Sequence, residues 1–313
     1  MGFLLPYQQA WTALPLPTSY HWRCLFVKPA MSTPTDLLSR PEVHGHRGCR
    51  GLFPENTLPA FLHAVRLGVD VLELDVVLSA DGQVVVSHEP WMSATICLDP
   101  HGQRINPVHQ HEHNLYQLPY AQIRRYDCGL LQHPAFPAQQ NLPAHKPLLQ
   151  EVVHAVDALA RELGRSLPRF SVEVKSEMVG EGQFYPAPAE YVRVVARQLQ
   201  ALRMAGRTTL LCFDARVLRE ALRQLPDLPL CLLVEDDMPF AEHLRQLGFT
   251  PSVYGPRHDL VTAELVVEAK HTGLHLVPWT VNRPADMRRL LQFGVAGITT
   301  DYPDQLLHLL TSL

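Results

Sequence analysis

Eight short apolar runs alternate with helical patterns along most of this 313-residue chain, and that alternation restricts the fold more than any other feature. The runs are VHGHRG (43–48), VLELDVVLS (71–79), FSVEVK (170–175), TLLCFD (209–214), LCLLV (230–234), PSVYG (251–255), LHLVPWTV (274–281) and AGITTD (296–301). Helical stretches are expected at 57–67, 188–204, 215–224, 240–247, 262–272, 284–293 and 303–311. Strand, helix, strand repeated in this way gives parallel strands joined by crossover helices. Eight such strands close into a (β/α)8 TIM barrel.

A ninth run, VVVSHE (84–89), is tied to the second by Asp81-Gly82, a hairpin signal. A hairpin partner runs antiparallel, so this run is an excursion that returns His88 towards the barrel mouth. Residues 1–40 read as a leader, expected to be disordered, or as an over-long gene prediction, since Met31 opens a more ordinary-looking start. The barrel domain is then 41–313, with an insertion at about 90–147 after strand 2 that carries prolines, glutamines and HQHEHN (109–114). Without leader and insertion, roughly 215 residues remain, the size of a plain barrel.

A net charge of -4 gives no basic footprint, so nucleic acid is not an expected partner. No run of about eighteen apolar residues exists, so no integral membrane segment is expected. The N-terminus lacks the basic region of a signal peptide. The six cysteines (Cys24, Cys49, Cys97, Cys128, Cys212, Cys231) form no CxxC and no zinc spacing. Scattered thiols suit a reducing compartment, with one bridge in a secreted protein left open; the expected location is cytoplasmic. Oligomeric state is not readable.

Strand alternation carries the first chemical argument. In 71–77, Val71, Glu73, Asp75 and Val77 share one face, and Leu72, Leu74 and Val76 the other. The aliphatic face suits the helices, which leaves two carboxylates pointing into the barrel. Strand 170–175 repeats the pattern, with Val172 and Val174 outward and Ser171, Glu173 and Lys175 inward. Three inward acids repel one another and lose hydration. A divalent cation or paired arginines must offset that cost. Three carboxylates without a cysteine suit one hard cation, Mg²⁺ or Ca²⁺, while ordinary salt bridges are the competing account.

Histidine placement is the second argument. His46 ends the first strand and His88 ends the hairpin arm, both at the C-terminal face where barrel enzymes work. Imidazole is the usual group for proton transfer near neutral pH. Arg47 and Lys175 add fixed positive charge beside the acids, and together these groups suit a phosphoryl group. Asn56 is placed to cap the first helix, whose N-terminus would favour an anion.

These residues together resemble the glycerophosphodiester phosphodiesterase family. The resemblance rests on HGHRGCRGLFPENTLPAFLHAVRLGVDVLELDVVLSADGQVVVSHE (44–89), SVEVKS (171–176), PWTVN (278–282) and GITTDYPD (297–304), and runs over about 43–313. It implies a TIM barrel that hydrolyses a small glycerophosphodiester, its partner molecule, to an alcohol and sn-glycerol 3-phosphate. It implies His46 and His88 as the acid/base pair, and Glu73, Asp75 and Glu173 as metal ligands. It implies Arg47 and Lys175 on the phosphate, Glu55 as a helper near phosphate or metal, and Trp279 as an apolar wall by the glycerol. The implied mechanism uses the substrate's own glycerol hydroxyl first, giving a cyclic phosphate that water opens. The chain departs from the family at Glu89, where Asp is usual, at Ala296, again usually Asp, and at 91–102, where an Arg-Thr-Thr run is usual.

Three rival readings compete with this one. A phospholipase of the same superfamily would act on lysophospholipid or intact lipid and would show an apolar rim. A metal-dependent amidohydrolase would use His44-Gly45-His46 as ligands but needs histidines on middle strands, where TLLCFD and LCLLV have none. A non-catalytic phosphodiester-binding barrel would have lost one of the two histidines or three carboxylates. The run 109–114 reads either as a second metal site or as a solvated loop.

Overall fold

A computed structural model describes residues 40–312 of the chain; the expected leader, but for Arg40, lies outside them. The elements in order are β1 (Glu42–Gly45), α1 (Leu58–Leu67), β2 (Val71–Leu78), β3 (Val84–Val86), α2 (Tyr120–Ile123), α3 (Leu149–Glu162), β4 (Arg169–Val174), α4 (Pro188–Ala201), β5 (Thr208–Cys212) and α5 (Ala215–Gln224). They continue with β6 (Leu230–Val234), α6 (Phe240–Leu247), β7 (Val253–Pro256), α7 (Ala263–His271), β8 (His275–Leu276), α8 (Pro284–Phe293), β9 (Gly297–Thr300) and α9 (Pro303–Leu310).

Eight strands are parallel and lie in the order β8-β7-β6-β5-β4-β2-β1-β9. Backbone bonds from Ala296 N to Leu276 O (2.9 Å), Thr299 N to Pro278 O (3.0 Å) and Val281 N to Thr299 O (2.9 Å) join the last segment back to β8. The result is a nearly closed TIM barrel, and each of the eight expected runs supplies one strand. β8 is shorter than the expected 274–281 because Pro278 has no N–H to give a ladder. β3 pairs antiparallel with β2, Val76 opposite Val86, which is the hairpin excursion expected from Asp81-Gly82.

The barrel's outer layer follows the alternation. Leu72, Leu74 and Val76 join Phe61, Val156 and Val172 in the main core between strands and helices. One crossover helix is absent from the sequence reading. α3 buries Leu149, Val152, Val153, Val156 and Ala160, spaced three and four apart, on the barrel wall. Its start lacks a Ser, Thr, Asp or Asn cap. The Glu151 carboxylate instead accepts the Leu148 backbone N–H at 2.8 Å, a device that a search for capping residues overlooks.

Asn56 also departs from its expected role. The first helix begins after Thr57, with no side-chain cap, and the Asn56 amide is drawn into the barrel onto Asp75 instead. Residues 90–147 hold only one short α-helix and pack an apolar cluster of their own on Val77 and Val85, including Met92, Ile96, Leu115, Ile123 and Tyr126. Within it Cys97 and Cys128 are disulfide-bonded, with Cα atoms 4.0 Å apart. This is the single bridge that the cysteine count leaves open; Cys49, Cys212 and Cys231 are the buried free thiols among the described residues. Sequence spacing could not reveal the pair, since 31 residues separate its members. No helix among the described residues is long and apolar enough to cross a membrane.

Candidate active site

β1 runs into a turn that only glycine permits. A Cβ on Gly45 would overlap the Gly48 carbonyl, and one on Gly48 would lie 2.7 Å from the Ala60 backbone. The turn is thus pressed against α1. Within it Arg47 adopts a left-handed φ of 49°, an uncommon conformation for a residue with a side chain and one that clusters at functional sites. The turn aims His46 and Arg47 at the C-terminal end of β2.

There the carboxylates converge. Asp75 stands opposite Glu173 in the β2–β4 register. Glu73, Asp75 and Glu173 are all buried, and each offers one oxygen within 4.8 Å of the others. The Glu73 carboxylate accepts the Arg47 backbone N–H at 2.8 Å. Asn56 donates its side-chain N–H to Asp75 Oδ2 at 2.8 Å, while Asp75 Oδ1 is buried without a hydrogen-bond partner. Burial, then the Asp75 and Glu173 charges, pushes the Glu73 carboxyl well above its ordinary range. Burial likewise raises Glu173 against the pull of Lys175. Burial opposes ionisation of Asp75 too, but Arg47, His88 and Lys175 outweigh it and hold that carboxyl low.

A hard divalent cation fits this donor set. It would satisfy the orphaned Asp75 oxygen and allow all three acids to ionise together. The buried acidic group can therefore hold a divalent metal. Among the described residues no other trio of His, Cys, Asp and Glu converges in this way. Of the two readings of 109–114, the contacts favour the loop over a second metal site. His109 pairs with Glu112 at 2.7 Å, His113 bonds the Tyr126 hydroxyl at 2.8 Å, and His111 packs on the Trp91 ring.

Both histidines line the cavity that reaches the acids. Each has a carboxylate at Nδ1, which leaves Nε2 for the cavity. His46 Nδ1 is 2.6 Å from Asp301 Oδ1, and His88 Nδ1 is 3.0 Å from Glu89 Oε1. His46 Nε2 lies 3.8 Å from Glu73. Burial lowers the His46 pKa to about 4, despite the opposing pull of Asp301, so His46 is a neutral imidazole near pH 7. Glu89 is held at about 2, because the His88 hydrogen bond and charge outweigh its burial.

The positive groups are themselves tied down. Arg47 NH1 is 2.7 Å from Glu55 Oε1, and its Nε is 3.2 Å from Asp75. Glu55 is thus a buried partner of Arg47, with Arg50 3.6 Å away on its other oxygen. Lys175 Nζ donates to Glu173 at 2.6 Å and lies 3.8 Å from Asp75. Trp279 lines the cavity, donates its indole N–H to Gly255 O at 2.7 Å, and meets Phe213 edge-on.

Three residues that the sequence reading passes over complete the arrangement. Asp301, at the end of GITTD, takes His46 from one side, two bonds from Arg50 and one from Asn282. Its position one residue beyond the last strand was the available signal. Arg50 sits in the same HRGCRG text as His46. Lys146, at the end of the insertion, is buried and donates to Ser87 Oγ at 2.7 Å. Ser87 in turn donates to the Glu89 backbone carbonyl at 2.6 Å. Burial lowers the Lys146 pKa, with Glu89 the foremost opposing charge. Nothing in the sequence pattern points to Lys146, since chain folding alone brings it onto Ser87, the residue before His88. Replacing Lys146 with methionine is expected to lower kcat about tenfold with KM nearly unchanged, because a hydrogen bond to a charged group contributes on the order of 1–3 kcal/mol. Unchanged kcat in steady-state assays would show that Lys146 only fills space.

Known proteins resemble this chain over most of its length. The profile of the Glycerophosphoryl diester phosphodiesterase family matches residues 46–305. A glycerophosphodiester phosphodiesterase of Caldanaerobacter subterraneus is 28% identical over 267 residues, covering 85% of this chain and 96% of the relative. A lysophospholipase D of Rattus norvegicus is 26% identical over 293 residues, covering 86% and 85%. A crystal structure from Silicibacter pomeroyi, assigned to the glycerophosphoryl diester phosphodiesterases, superimposes with a TM-score of 0.77 at 33% identity, covering 88% of this chain and 95% of that one. An Oleispira antarctica phosphodiesterase, solved with sn-glycerol-3-phosphate, shares the fold with a TM-score of 0.68 at 20% identity, covering 88% and 98%.

Proposed function

The chain belongs to the glycerophosphoryl diester phosphodiesterase family, and on that premise we propose a metal-dependent, two-histidine hydrolysis of glycerophosphodiesters to an alcohol and sn-glycerol 3-phosphate. The enzyme class itself, a phosphoric diester hydrolase acting on glycerophosphodiesters, follows from the family and its relatives. The observation that carries the finer reading is the convergence of Glu73, Asp75 and Glu173 beneath two histidines whose Nδ1 atoms are both held by carboxylates.

In this reading Glu73, Asp75 and Glu173 hold one divalent cation, Mg²⁺ or Ca²⁺. When bound, that ion supplies charge neutralisation and polarises a phosphoryl oxygen. Lys175 and Arg47 line the same space and stabilise phosphate charge that grows in the transition state. Their ion pairs with Glu173, Asp75 and Glu55 keep both cations extended towards the phosphate. Glu55 therefore acts through Arg47.

His46 is buried, neutral and oriented by Asp301, and in this reading it is the base: its Nε2 takes the proton from the attacking glycerol hydroxyl. His88, across the cavity and steadied by Glu89, gives a proton to the departing alcohol oxygen. For the second step, in which water opens the cyclic phosphate, the two exchange roles. Trp279 supplies a flat apolar wall for the glycerol carbons.

The direct test is release of glycerol 3-phosphate from glycerophosphocholine and glycerophosphoethanolamine with Mg²⁺, with Ca²⁺ and with EDTA. Release with a metal and none with EDTA is expected. No release with either metal would overturn the proposal.

A further inference from the structure

The loop that carries His46 is held from outside the barrel. Three of its backbone carbonyls, those of Arg50, Leu52 and Phe53, find their partners in the insertion. Gln139 donates its side-chain amide to Arg50 O at 2.7 Å and to Phe53 O at 2.9 Å. The Gln140 backbone N–H donates to Leu52 O at 2.8 Å. The Arg50 guanidinium, itself largely buried, lies over the Phe136 ring, 4.8 Å from its centre. Phe136 also meets the ring of Tyr302, the residue after Asp301, with centres 6.3 Å apart.

These contacts come from an arch that buries little else. Of residues 134–140 only Phe136 and Gln139 are buried; the others, Pro134 and Pro137 among them, are exposed. The base of the arch is closed by backbone bonds from Cys128 N to Ala144 O (2.6 Å) and from Leu142 N to Gly129 O (3.1 Å), and Cys128 is bridged to Cys97. The arch is therefore fixed to the insertion's own core at one end and presses its two buried side chains onto the His46 loop at the other.

From Phe136 to His46 the connection is two groups long. Arg50 donates from Nε to Asp301 Oδ1 at 2.8 Å and from NH2 to Oδ2 at 3.0 Å. A guanidinium that engages both oxygens fixes the plane of the carboxylate. Oδ1 is the atom that stands 2.6 Å from His46 Nδ1. An aromatic ring against a desolvated guanidinium attracts it and limits its rotation.

We infer that Phe136 and Gln139 are positioning residues for His46. Phe136 fixes the guanidinium that fixes Asp301, and Gln139 fixes the backbone that carries Arg50 and His46. The inference rests on the function proposed above, in which His46 moves the proton. Displacing a proton-transfer group lowers the rate of the chemical step more than it weakens binding.

The test follows hydrolysis of glycerophosphocholine, with thermal unfolding of each variant as the check on folding. Phe136→Leu keeps the apolar bulk and removes the ring; it is expected to lower kcat about three- to tenfold with KM within about twofold of wild type. Phe136→Tyr keeps the ring and is expected to retain wild-type kcat. Gln139→Met keeps the length and removes both donors, and kcat is expected to fall about tenfold. The decisive measurement adds Phe136→Leu to His46→Ala. No further loss of kcat is expected there, because the group that the arch positions is already gone. An equal fold-loss from Phe136→Leu with and without His46 would overturn the inference, and so would a rise in KM alone or unchanged kcat in both Phe136→Leu and Gln139→Met; the proposed function stands in each of these cases. Wild-type turnover in His46→Ala would instead overturn the proposed mechanism, and this inference with it.

Discussion

Replacing His46 with alanine is expected to lower kcat by about 10²–10⁴-fold, the range that a positioned acid or base contributes. The barrel should survive the change. Asp301, the buried carboxylate that His46 leaves behind, keeps two bonds from Arg50 and one from Asn282. The lost side chain is therefore not followed by an unpaired buried charge, the usual cause of a large stability loss. Thermal unfolding should remain close to wild type while steady-state turnover collapses. Turnover near wild type in His46→Ala would remove His46 from the mechanism. Asp301→Asn separates orientation from proton transfer. It keeps the size of the group but weakens its hold on Nδ1, so it should cost less than His46→Ala and in the same direction, with kcat rather than KM bearing the change.

Exhaustive chelation is expected to abolish turnover, and Mg²⁺ or Ca²⁺ to restore it. Full activity after chelation would sink the metal assignment. Glu73→Gln gives the same question a readout that does not depend on turnover. Without a cation, Glu73 is the acid that burial and its two neighbours push hardest towards neutrality. Glutamine is uncharged without taking up a proton, so the metal-free variant should be more stable than metal-free wild type by about 1 kcal/mol, or about 2–4 °C in Tm for a domain of this size. The same change removes a ligand, so added metal should raise Tm less in the variant than in wild type. Equal metal-induced shifts in both proteins would show that Glu73 is not a ligand. Activity should fall together with metal affinity.

Much of this protein is legible in its sequence because the constraints are local. A barrel strand must show aliphatic residues to its helices, so alternation in VLELDVV and FSVEVK is enough to assign Glu73, Asp75 and Glu173 to the interior. The Asp81-Gly82 turn determines that the ninth run doubles back, and with it the side on which His88 lies. Other readings fail where one local signal admits two outcomes. Asn56 has the character of a helix cap, yet burial of Asp75 creates a stronger demand for its amide. α3 escapes notice because its N–H is taken up by a glutamate within the helix and not by a residue in front of it.

What the chain order could not determine is what meets across it. Asp301 lies 255 positions from the histidine it orients, Lys146 lies 59 from Ser87, and Cys128 is 31 from Cys97. Periodicity reports which face a residue takes, because each strand or helix repeats a simple geometry. It carries no information about the partner, because a hydrogen bond or a disulfide depends on distances that only the closed barrel sets. The sequence by itself therefore determined the barrel, its inward acids and its two histidines. Tertiary structure alone decided which carboxylate holds each imidazole, and that the insertion returns to brace the loop on which His46 stands.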